Sequence, residues 1–172
     1  MTLSPFEVLG VPLLFALDET ELEKRHRDLS RALHPDRYAS RPSSERREAL
    51  SRAISVNEAF RKLRDPISRA EALLVQLGRD VSEGNRPKPP PALLMQIMEQ
   101  REALSEARRA GDRRRVESIA AHAEGRAEEA GERMADAFCE DPIPVEQVLE
   151  ILGELRYLRR LKEEAGAALD EL

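Results

Sequence analysis

Apolar residues recur along this chain at helical rather than strand spacing, and proline, glycine and small polar residues cut the repeats into segments. Ser4-Pro5-Phe6-Glu7-Val8-Leu9-Gly10 reads as a short first helix, with Ser4 as N-cap, Pro5 in the first turn and Gly10 ending it. Asp18-Glu19-Thr20-Glu21 has the form of a capping box and opens a second helix that runs to Leu33. Leu22, His26, Leu29 and Leu33 share its core stripe, while Lys24, Arg27 and Arg31 share another stripe. Pro35 stops this helix, because its ring disfavours the helical region for His34 and it donates no N–H. A third helix is expected from about Ser44, with Ser43 or Ser44 as N-cap and Leu50, Ile54, Asn57, Phe60 and Leu63 on one face. Another follows Asp65-Pro66, carrying Ile67, Ala70, Leu73, Leu74 and Leu77 before Gly78.

Residues 79–91, with Gly84, Asn85, Pro87, Pro89, Pro90 and Pro91, read as a stiff connection and mark a boundary between an N-terminal domain 1–78 and a C-terminal domain 92–172. Three further helices are expected: from Pro91 to about Ala110, over about 112–138, and from Val145 to about Leu169. Short connections make them an antiparallel three-helix bundle, so the fold class is all-α. Leu93, Ile97, Leu104 and Ala107 form the core stripe of the first, and Val148, Leu152, Leu155 and Leu158 that of the third, with Leu149 and Leu161 straying from it. Leu94, Met95 and Met98 lie off the core stripe beside Glu99 and Glu102, and Arg156 and Tyr157 also point elsewhere. A helix apolar on two faces is either buried twice or presents one face to a partner.

Composition narrows the function. Charged residues make up 35% of the 172 and aromatics 3%, a balance that suits helical bundles. The net charge of −5 argues against a general polyanion binder, so no nucleic-acid partner is expected from the arginine stripe. No apolar run approaches the roughly 18 residues of a membrane span, so no membrane partner is expected either. The folded pattern begins by Ser4, leaving no room for a signal or transit peptide. The single Cys139, expected to be buried or half-buried, excludes an internal disulfide and fits a reducing, cytoplasmic setting in a bacterium. His122 reads as a solvated or packing residue.

The candidate chemistry lies at Leu33-His34-Pro35-Asp36-Arg37-Tyr38, an imidazole and a carboxylate flanking a helix-breaking proline among Arg25, Arg27, Arg31 and Arg37. A general acid–base pair would need a cleft and a third orienting group, and none is indicated, so the chain does not read as an enzyme. A short helix, a basic helix, His-Pro-Asp, and a long helix with Asn57-Glu58-Ala59-Phe60 and then Asp65-Pro66 resembles the J domain of DnaJ-type co-chaperones over roughly residues 3–75. Leu94-Met95-x-x-Met98-Glu99-x-Arg101-Glu102-x-Leu104, then Leu155-Arg156-Tyr157-Leu158, with Arg69-Ala70-Glu71-x-Leu73-Leu74, is similar to the HscB family of co-chaperones in iron–sulfur cluster assembly.

That resemblance implies two partners. A DnaK-type chaperone ATPase (HscA-like) would meet His34, Pro35 and Asp36 with Lys24, Arg25, Arg27, Arg31 and Arg37. An iron–sulfur scaffold protein (IscU-like) would meet Leu94, Met95, Met98, Glu99, Glu102, Arg156 and Tyr157. Asp28 and Ala32 stand where many J domains are basic, which implies weaker or more selective docking. Tyr157 stands where the family often has phenylalanine, a tolerable exchange if its hydroxyl stays wet. Some eukaryotic members carry a cysteine-rich zinc module, which Cys139 alone cannot supply, so no metal or cofactor is implied. A different client on the same patch is the nearest rival reading.

Overall fold

Caps and stops set most helix boundaries among the described residues. The computed structural model describes residues 3–81 and 90–172, and the expected connection lies largely outside them. The chain forms two compact units, Met1–Val81 and Ser82–Leu172, and every regular element among the described residues is helical.

In the first unit, α1 (Pro5–Leu9) is opened by a reciprocal box: the Ser4 hydroxyl accepts from the Glu7 N–H, and the Glu7 carboxylate accepts from the Ser4 N–H at 2.7 Å. Gly10 closes it at φ 64°, where a side chain would be strained. Asp18 caps α2 (Glu19–Ala32) by accepting from the Thr20 and Glu21 N–H groups. The expected box is only half made, because the Glu21 carboxylate turns outward to Arg25 and Lys24. After the four-residue turn α3 (Pro35–Tyr38), α4 spans Ser43–Arg64. Neither Ser43 nor Ser44 caps it: the fixed φ of Pro42 starts the turn one residue early, and its carbonyl accepts from the Arg46 N–H. Asp65 caps α5 (Pro66–Gln76) through the Ser68 N–H and hydroxyl, and Gly78 ends it with paired bonds of the Schellman type.

The buried face of α4 is not the one its large apolar residues mark. Ala49, Val56, Ala59 and Leu63 are buried, whereas Leu50 and Ile54 are 57% and 51% exposed. α2 and α1 pack against α4 closely enough to choose the small residues, and the stripe shifts to include them. On α2 only Leu22 is fully buried, with His26, Leu29 and Leu33 half-buried.

In the second unit, α7 (Arg113–Cys139) and α8 (Val145–Glu171) form a long antiparallel pair. Val116, Ala123, Ala130 and Met134 of the one and Val148, Leu152, Leu158 and Leu161 of the other are buried, each large side chain contributing about 1.5–3 kcal/mol of transfer free energy. Leu161 therefore belongs to the core, because over 27 residues the seam between two helices drifts around a straight wheel. α6 (Pro91–Arg109) adds only Leu104 and Ala107 to the buried set, with Leu93 and Ile97 half-buried. Cys139, expected inside, is exposed: it ends α7 beyond Ala137, the last buried residue of that helix. His122 is solvated.

Candidate functional site

Two surfaces emerge, one in each unit. The first is the tip between α2 and α4. Pro35 at the first position of α3 leaves His34 as its N-cap, in extended geometry (φ −61°, ψ 134°). His34 Nδ1 accepts from the Asp36 N–H at 3.3 Å and lies 3.5 Å from the Asp36 carboxylate. With Nδ1 engaged as acceptor, the neutral ring carries its proton on Nε2, the outward donor. The Asp36 side chain is 90% exposed, so nearly all of its acceptor capacity is open to a partner.

Behind the tip, His26 stacks on Phe60 with centroids 4.1 Å apart and planes 11° from parallel. Its Nε2 lies 2.9 Å from Asn57 Oδ1, so α2 and α4 are fastened near mid-length and the tip stands on a preorganised finger. The α4–α5 corner is held by a residue that periodicity does not flag. Arg69 is buried, donating from Nε to the Leu63 carbonyl at 2.6 Å and from a terminal nitrogen to the Phe15 carbonyl at 2.8 Å, with the guanidinium 5.6 Å over the Phe15 ring. Burial pulls its pKa down, opposed by the charges of Glu19 and Asp65.

The basic residues divide. Lys24, Arg27 and Arg31 are exposed on the side of α2 away from its core, and Arg37 is exposed beside the tip. Lys24 and Arg27 touch Glu21 and Glu23 at 3.5 and 3.7 Å, exposed pairs worth little in water that leave both cations available. Arg25 is drawn towards α1, bonding Glu21 at 2.8 Å in a hollow shared with Glu7 and Gly10. That bond, helped by Lys24, holds the Glu21 carboxyl below the usual range.

The second surface lies on the first half of α6. Leu94, Met95 and Met98 are 48%, 64% and 65% exposed, and Glu99 and Glu102 are exposed beside them. Residues 94, 98 and 102 form one ridge of the helix, and 95 and 99 lie on its neighbour. Arg156 is half-buried on α8. Tyr157 departs from the expectation of a wet hydroxyl: it packs against the core cluster, and its O–H donates to the Ile97 carbonyl at 3.3 Å. Burial raises its pKa, Arg101 and Arg126 opposing and Glu164 adding to the shift. Tyr157 thus fastens α8 to the helix that bears the patch.

Polar contacts hold the same stretch on its flanks. Arg101 pairs with Glu164 at 2.8 Å, and Gln96 accepts from Arg126 at 3.2 Å. Arg126 also pairs with Glu154, which is buried and takes a second bond from Arg133 at 2.7 Å. Glu154 went unread in the sequence, although it falls between Ile151 and Leu161 on the buried side of α8, where a carboxylate requires partners. Among the described residues no group of three or more His, Cys, Asp or Glu side chains could hold a metal ion, and no helix is long and apolar enough to cross a membrane.

An all-α chain whose helical finger displays His-Pro-Asp and whose second unit is a three-helix bundle has the architecture of a J-type co-chaperone. Residues 89–166 match the family described as the HSCB C-terminal oligomerisation domain. Over 167 residues the chain is 35% identical to the co-chaperone protein HscB homolog of Azoarcus sp. (strain BH72), covering 97% of this chain and 94% of that one. Chaperone HscB from Vibrio cholerae aligns with a TM-score of 0.84 at 25% identity, covering 99% of both chains. Human co-chaperone protein HscB aligns at 0.89 and 26% identity, covering 99% of this chain and 84% of that one. The chain belongs to the HscB family of co-chaperones.

Proposed function

We propose that this protein stimulates the ATPase of a DnaK-type, HscA-like chaperone and delivers to it an IscU-like scaffold protein on which iron–sulfur clusters are assembled. One observation above all supports the reading: His34 and Asp36 brace each other through the Asp36 N–H at an exposed tip, on two helices fastened by His26. Such a tip loses little conformational freedom when a partner engages it. Asp36 accepts a charge-assisted bond from an arginine of the chaperone, and His34 Nε2 donates a second. Lys24, Arg27 and Arg31 steer the encounter with an acidic surface and fix its register.

The scaffold protein is held on Leu94, Met95 and Met98, rimmed by Glu99, Glu102 and Arg156, with Tyr157 supporting the helix beneath. Both sites belong to one chain, so engagement of one partner raises the local concentration of the other. ATP is hydrolysed by the chaperone, and this chain forms and breaks no bond. The test is steady-state ATP turnover by a DnaK-type chaperone with saturating scaffold protein. His34→Gln abolishes stimulation while scaffold binding persists, and a variant that stimulates as the wild type does would refute the reading.

A further inference from the structure

The exposed pair Leu50 and Ile54 lies outside the buried core. They sit one helical turn apart on α4, more than half exposed, with Arg46, Arg47, Glu48 and Arg61 exposed on the same helix. At 100° per residue, Leu50 lies within about 20° of Asn57 around α4, and Ile54 about 60° from Asn57. Asn57 faces His26, so both leave the helix pair along the edge where α2 and α4 meet.

The register of that edge places them along the chain. With His26 lodged between Asn57 and Phe60, and the helices antiparallel, Leu50 falls level with Leu33 and His34, and Ile54 level with Ser30. Two side chains expose far less than the roughly 800 Å² per partner of a stable interface, so on their own they cannot hold a second copy of this chain. They can serve only as part of a larger surface, and the one adjoining them is the tip with the outer face of α2.

Resting on the reading above, we propose that Leu50 and Ile54 form an apolar contact strip of the chaperone-docking face, seated against an apolar patch of the same DnaK-type ATPase that receives His34 and Asp36. The strip complements the basic stripe. Lys24, Arg27 and Arg31 act at a distance and are screened by salt, whereas aliphatic contact is short-ranged and nearly salt-independent. It slows dissociation once the tip is engaged, in a chain whose stripe is interrupted by Asp28 and Ala32.

The test is the double variant Leu50→Gln/Ile54→Gln in the full chain, which keeps good helix formers at exposed positions. Chaperone ATP turnover is titrated against wild type, this variant and His34→Gln, at low and high salt. The variant is expected to need roughly tenfold more protein for half-maximal stimulation, with an unchanged plateau, an unchanged melting temperature and the same ratio to wild type at both salt concentrations. An unchanged half-saturation point beside an inactive His34→Gln overturns the strip alone. Full stimulation by His34→Gln overturns the docking reading itself. A variant that alters self-association in sedimentation while leaving stimulation intact assigns the strip to a second copy and also overturns the proposal.

Discussion

Replacing Leu94 and Met98 together by alanine tests the client half of the function. About half of Leu94 and two-thirds of Met98 remain open to solvent. Full burial of such a side chain is worth roughly 1.5–3 kcal/mol, so covering the open fractions yields about 2–3 kcal/mol. Alanine retains part of that contact, leaving a loss of about 2 kcal/mol, or roughly thirtyfold in dissociation constant. The fold loses almost nothing, since the core contribution of α6 comes from Leu104 and Ala107, and alanine is a better helix former than either residue replaced. Calorimetric titration with an iron–sulfur scaffold protein should show the weakened binding, while thermal unfolding stays within a degree or two of wild type and stimulation by the J-type finger alone is untouched. Unchanged affinity with an intact fold would refute the assignment and place the client elsewhere.

Two further outcomes follow from groups inside the fold. Arg69→Met leaves the Leu63 and Phe15 carbonyls without their donor and costs the first unit about 3 kcal/mol, read as a fall of more than ten degrees in its melting temperature; a loss under about 1 kcal/mol would show the carbonyls finding other partners. For Tyr157, whose pKa is raised on folding, the stabilisation is whole below the ordinary tyrosine value of about 10 and is lost as pH rises through the higher folded value. Tyr157→Phe costs about 1 kcal/mol at neutral pH and removes that part of the alkaline loss, which urea unfolding across the range would reveal as a shallower fall than in the wild type.

What the sequence made legible was local chemistry. Ser4, Gly10, Asp18 and Gly78 act where a cap or stop was expected, because each works through its own backbone or that of residues a few positions away. His26, standing where J domains usually carry an aromatic ring, could be read as a packing residue from that resemblance. Partners distant in sequence were the obstacle. Periodicity weights bulky residues and puts Leu50 and Ile54 on one face with Leu63, whereas close helix packing selected Ala49 and Ala59 for burial. Leu161 strayed from a straight wheel that a winding seam does not obey. Arg69 and Glu154 are charged yet buried, and only the carbonyls and arginines that meet them from other helices account for it.

The uneven anchoring of α6 bears on how the protein can change. Its second half is locked by Leu104 and Ala107, while the first displays Leu94, Met95 and Met98 and is tied down by Tyr157, Gln96 and Arg101 from its flanks. Selection can therefore rewrite the displayed trio with little penalty to folding, and thioethers adapt to a remodelled counterpart more readily than branched side chains do. On the reading proposed above, cargo preference can drift almost independently of the finger, so divergence between lineages should accumulate on those three positions first.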